Sequence, residues 1–125
     1  MQEKARIYSI YKASTLIGNR VKNAAGEGIG RIKEIMIDLE EGHISYAVLS
    51  FGGFLGLGSK LFAIPWNALT FRPHENVFIL NVDKERLRNS PGFDKNHWPD
   101  TSDPQWRTDL MSAPDINSIR DRSAA

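Results

Sequence analysis

Ile44-Ser45-Tyr46-Ala47-Val48-Leu49-Ser50-Phe51 is the stretch on which the reading of this chain turns. Branched and aromatic side chains favour an extended, pleated backbone, and successive residues of a strand point to opposite faces. Both faces here are apolar: Ile44, Tyr46 and Val48 alternate with Ala47, Leu49 and Phe51. A strand covered on two sides belongs in the body of a sheet.

Upstream, branched aliphatic residues stand at 29, 32, 35, 37 and 39. A strict period of two sets Ile32 against Ile35 and Ile37, so a bulge or sharp bend near Lys33-Glu34 is expected to turn all five inward. Before it, Ser14 reads as the N-cap of one helical turn ending at Gly18. Val21 then opens a short strand into the glycine turn 24–28. Downstream, a strand over 60–64 ends at Pro65, which has no N–H for a ladder. One helical turn over 66–69 leads to a hairpin of 70–71 with 77–82 around the turn 72–76. Asp83 reads as the cap of a short helix over 84–88. Residues 90–106 hold three prolines, two tryptophans and a phenylalanine with no period of either kind, the pattern of an irregular strap.

The chain has 125 residues, enough for one domain with a real core. It has no cysteine, which excludes disulfides, thiolate metal sites and a cysteine nucleophile. Neither a signal-peptide stretch nor a run of membrane-spanning length occurs, so a cytoplasmic protein is expected. Sixteen basic and fifteen acidic residues leave a net charge of +1, and neither sign forms a block. Lys84, Arg86 and Arg88, interrupted by Glu85, read as a solvated helix face, and no nucleic-acid partner is expected.

Leu16-Ile17-Gly18, Val21, Gly26, Gly30-Arg31-Ile32, Asp38, the segment Tyr46 through Gly53 and Leu61-Phe62-Ala63-Ile64-Pro65-Trp66 together resemble the PRC-barrel family, in order over residues 14–88. Pro91-Gly92-Phe93-Asp94 and Trp98-Pro99-Asp100 resemble an extension of its free-standing bacterial members. The family takes its name from the cytoplasmic part of the photosynthetic reaction-centre H subunit and includes the C-terminal domain of a ribosome maturation factor. The resemblance implies a partner-binding β-barrel without chemistry of its own. This sequence carries neither the membrane helix of the first nor the additional N-terminal domain of the second, so neither specific role is transferred.

Candidate sites are few. Residues 53–60 place glycines five apart before Ser59-Lys60, the reverse of the Lys-Ser/Thr order a phosphate loop needs, and a strand follows where a helix is required. Asp94, Asp100, Asp103 and Asp109 beside His97 lack a metal-loop pattern, and His43, His74 and His97 lack metal-type spacing. No catalytic, cofactor or metal residue is therefore assigned. Gly52, Gly53, Phe54, Leu55 and Leu57 are the candidate interface, large apolar residues in a glycine-rich loop. The same loop could instead close one barrel end, and a lipid-inserting role ranks below protein contact for want of an adjacent basic cluster.

The expected protein is mainly β, a small barrel of about six strands with short helical turns. Its parts are an arm over 1–13, the barrel over 14–88, a strap over 89–110 packed on it through Phe93, Trp98 and Trp106, and a disordered tail over 111–125. The expected activity is non-enzymatic protein binding or assembly, with a homodimer as the simplest cover for the second apolar face. The alternative is a small-ligand-binding protein or hydrolase using the acidic strap.

Overall fold

The computed structural model describes residues 10–52, 59–94 and 96–98. Six strands form one curled sheet, a half-barrel: β1 (Arg20–Lys22), β2 (Gly28–Asp38), β3 (His43–Gly52), β4 (Ser59–Pro65), β5 (Leu69–Arg72) and β6 (Val77–Leu80). Helix is confined to α1 (Ala13–Leu16), a 3-10 turn (Trp66–Ala68) and α2 (Lys84–Asn89). The strand order is β4-β3-β2-β1-β6-β5. Neighbours are antiparallel except β1 and β6, which run parallel from Arg20↔Val77 to Lys22↔Ile79. That parallel pair joins the β1–β4 meander to the β5–β6 hairpin, a link the sequence reading did not anticipate.

Ladder irregularities curl the sheet. Between β1 and β2 the register shifts at Val21/Lys22, leaving Ile29 unpaired, and between β2 and β3 it shifts at Ile32/Glu34, leaving Lys33 unpaired. Each extra residue reverses the inward–outward alternation. Ile29, Ile32 and Ile35, three apart, therefore all face the inner core. The bend expected at Lys33-Glu34 is present, but it does not bring all five aliphatics inward. Ile37 is 55% exposed and Leu39 90% exposed. Beyond Met36 the ladder shifts again, with Ser45 of β3 as the extra residue, and β2 runs past the core into its turn.

The inner cluster gathers Val21, Ala47, Leu49, Phe62, Ile64, Phe78 and Leu80 with the three isoleucines, closed by Leu16 and Leu87 from the helices. Phe78 lies at its centre, edge-on to Trp66 at 5.7 Å and tilted to Phe71 at 4.8 Å. A second cluster on the outer face of β3 and β4 holds Tyr46, Val48, Leu61 and Ala63, with Met36, Phe93 and Trp98 against it. The strand that opened the sequence reading thus has two buried faces. Its faces divide differently from simple alternation, because the Ser45 bulge turns Ile44 toward the inner cluster while Tyr46 and Val48 face out.

Two local readings are corrected. The cap position of α1 is Lys12, not Ser14, and it makes no side-chain capping bond. The β1–β2 turn rests on Asn23 as well as glycine. Its buried side-chain oxygen accepts from the amides of Ala25 (3.1 Å) and Glu27 (2.9 Å), and its amide donates to the Glu27 carboxylate at 2.8 Å. Gly26 supplies the positive φ, +89°, whereas Gly28 is already in β2.

Candidate functional site

Residues directly opposite each other in a ladder project to one face. Following register across the sheet gives an outer row of Leu61, Ser50, Arg31, Arg20, Val77 and Arg72. At one end of it Phe93 forms an isolated bridge to Leu61, donating its amide to the Leu61 carbonyl and accepting from the Leu61 amide, both at 2.8 Å. Gly92 permits that approach. A Cβ there would lie 2.7 Å from the Leu61 carbonyl oxygen.

The outer face over β3 and β4 is apolar, with Met36 of β2 against it, and the end over β1 and the start of β2 is basic, Glu34 lying further along β2 opposite Val48. Phe93 and Trp98 meet edge-on at 5.4 Å over the apolar part, each half-buried. On the basic end, Arg20 and Lys22 of β1 stand two apart on one face, and Arg31 of β2 is opposite Arg20. Lys22 is opposite Gly28, which contributes no side chain. The result is a cleft of ≈ 230 Å³ lined by those three cations with Val21, Gly28, Gly30, Ser50 and Gly52. Arg31 donates to the Gly18 carbonyl at 3.0 Å. Among the described residues no carboxylate pairs with Arg20, Lys22 or Arg31.

Of the candidate interface, Gly52 ends β3, exposed and opposite Ser59, while Gly53, Phe54, Leu55 and Leu57 lie outside the described residues. Trp106, Asp100, Asp103 and Asp109 also lie outside them. Asp94 and His97 form an exposed ion pair at 2.7 Å, and hydrogen bonding to His97 holds the Asp94 carboxyl below its ordinary range. A hydrogen bond to Glu41 at 2.9 Å raises His43. Among the described residues no three or more His, Asp or Glu gather as metal ligands. Lys84 and Arg88 are on α2, where Arg88 is held by Glu85 at 2.6 Å. Lys60, the cation of the glycine-rich segment, is committed elsewhere. It donates to the carbonyls of Leu87 (3.5 Å), Arg88 and Ser90 (3.1 Å) at the C-terminal end of α2.

The basic cleft was not visible as a cluster in the sequence. Arg20 and Arg31 are joined by a hairpin whose undisturbed ladder, counted outward from Lys22↔Gly28, sets Arg20 against Gly30. The bulge at Ile29 sets it against Arg31 instead. No helix among the described residues is long and apolar enough to cross a membrane. No curated protein matches the chain. The family model described as the PRC-barrel domain matches residues 9–87, covering the sheet, α1 and the first four residues of α2. This match, over more than half of the chain, and the curled six-stranded sheet make the chain a member of the PRC-barrel domain family.

Proposed function

We propose that the protein is a non-enzymatic assembly module that binds a protein partner, its own second copy being the simplest, through the glycine-rich segment between β3 and β4. The observation that carries this reading is the β3–β4 ladder. It runs from Tyr46↔Pro65 to Gly52↔Ser59 without a register shift, so both ends of the linking segment are held. That segment, Gly53-Phe54-Leu55-Gly56-Leu57-Gly58, has three large apolar residues and no charge. Apolar residues concentrated between two fixed strand ends are a common basis for contact between subunits. A twofold pairing serves both copies with one self-complementary patch.

The test is solution mass. Light scattering at about 100 μM, well above the dissociation constant of a modest interface, is expected to give a dimer for the unaltered chain and a folded monomer for Phe54→Asp. A monomer for the unaltered chain at that concentration overturns the homodimer. A dimer indifferent to Phe54→Asp moves the interface away from this segment.

A further inference from the structure

We propose that the cleft between β1, β2 and the end of β3 is a binding site for a compact phosphate-class oxyanion, held by Arg20, Lys22 and Arg31. This goes beyond the assembly reading, lies on described residues alone and uses none of the apolar segment.

Three observations converge on it. The first is an unfavourable arrangement: Arg20 and Arg31 are direct cross-strand neighbours, and like charges so placed repel. The second is the absence of compensation. Elsewhere on the described surface arginines have acidic partners, Arg72 with Glu75 at 3.5 Å and Arg88 with Glu85 at 2.6 Å. Around the cleft Arg31 meets only the Gly18 carbonyl, and Arg20 and Lys22 have no carboxylate at all among the described residues. The third is shape. Gly28 and Gly52 withhold side chains from the outer face where Lys22 and Ser50 flank them, so the floor is open to backbone and the cations form a rim.

An oxyanion answers all three. Guanidinium groups bind phosphate oxygens in bidentate, charge-assisted fashion, and a dianion between Arg20 and Arg31 turns their repulsion into shared attraction. Lys22 supplies a third positive charge and the Ser50 hydroxyl a neutral donor. A cleft of ≈ 230 Å³ accommodates a phosphate or pyrophosphate, or the phosphate end of a larger molecule. Three cations around one hollow suit a discrete anion better than the extended basic stripe that follows a polynucleotide backbone.

The experiment is a titration of the ¹⁵N-labelled full chain with inorganic phosphate and pyrophosphate at low salt, followed by amide shifts. Saturable changes confined to Gly28, Gly30, Arg31, Ser50 and Gly52 are expected, with dissociation constants below about 1 mM. Arg20→Gln and Arg31→Gln should each weaken binding about tenfold, the loss of one charge-assisted contact, while Arg72→Gln should leave it unchanged. Arg20→Gln should also melt at a higher temperature than the unaltered protein in anion-free, low-salt buffer, because the cross-strand repulsion is gone. That result also establishes that the variant is folded. A second arm uses flotation with phosphatidylcholine vesicles with or without about 30% phosphatidate, an anionic lipid. Phosphatidate-dependent flotation lost in Arg20→Gln assigns the oxyanion to a lipid headgroup, and pyrophosphate binding without flotation assigns it to a free phosphate compound. Uniform, unsaturable shifts, or an affinity unchanged by Arg20→Gln and Arg31→Gln together, overturn the proposal.

Discussion

Tyr46, on the outer face of β3, is only 2% exposed, and burial pushes its phenol up to about 12. In the unfolded chain a tyrosine titrates near 10. The fold therefore favours the protonated ring. This contribution is complete below about pH 10, where both states keep the proton, and is lost as pH rises toward 12, where the unfolded chain releases its proton first. Between denaturant melts at about pH 9 and pH 11.5, the protein should lose about 2 kcal/mol more stability than Tyr46→Phe does. Equal losses would remove Tyr46 from the alkaline transition. Gly30 is a constraint of another kind. With φ +148°, it lies where a Cβ would approach the Ser50 carbonyl oxygen to 2.2 Å, a backbone atom that cannot swing away. Gly30→Ala should therefore cost about 3 kcal/mol, as severe overpacking does; a urea melt within about 0.5 kcal/mol of the unaltered protein, the range of a neutral surface change, would show that β2 and β3 can separate there.

Lys60 shows how one side chain can fix an element. The α2 helix has six residues, too short to be stable alone. Its C-terminal carbonyls meet the Lys60 ammonium, Ser90 donates its hydroxyl to the Arg86 carbonyl at 2.6 Å, and Leu87 inserts fully into the inner core. Lys60→Met keeps the stem and removes the charge, and should cost about 1.5 to 3 kcal/mol, the range for a charged hydrogen bond. Loss of amide exchange protection in α2 should accompany it. Elements were the most legible level of this sequence. The strand read over 77–82, of which Val77–Leu80 forms β6, the two-faced β3 and the stop at Pro65 could be read from residue type and period, and the spacing of Ile32 and Ile35 demanded a bulge. What escaped was arithmetic across strands: besides the expected bulge at Lys33 there are two more, at Ile29 and at Ser45 of the partner β3, each reversing which side faces in. Ile37 and Leu39 were read inward on one bend when later irregularity and the approaching turn leave them outside. The same displacement by one residue hid the cleft. Of the strap aromatics, Phe93 and Trp98 pack partly buried against the outer cluster, whereas Trp106 lies outside the described residues.

Among the described residues, the outer surface has an apolar part under Phe93 and Trp98 and a basic end whose cations meet no carboxylate, while the inner surface gathers one core cluster. A net charge of +1 gives no hint of this division, since composition averages over both parts. The two proposals rest on different side chains, Arg20, Lys22 and Arg31 for the anion and Phe54, Leu55 and Leu57 for the contact between copies. Phe54→Asp should leave pyrophosphate affinity intact, and Arg20→Gln should leave the dimer intact. The parallel pairing of β1 with β6 has a further consequence, for the order of assembly. Three register pairs, Arg20↔Val77, Val21↔Phe78 and Lys22↔Ile79, join a four-strand meander to a two-strand hairpin. Each meander and hairpin contact can form between chain neighbours, but this junction must close a loop spanning nearly the entire sheet, the slow kind of event in folding. Refolding should therefore be limited by that closure. Val21→Ala should slow it about as much as it destabilises the protein, whereas Ala63→Gly in the β3–β4 hairpin should chiefly speed unfolding.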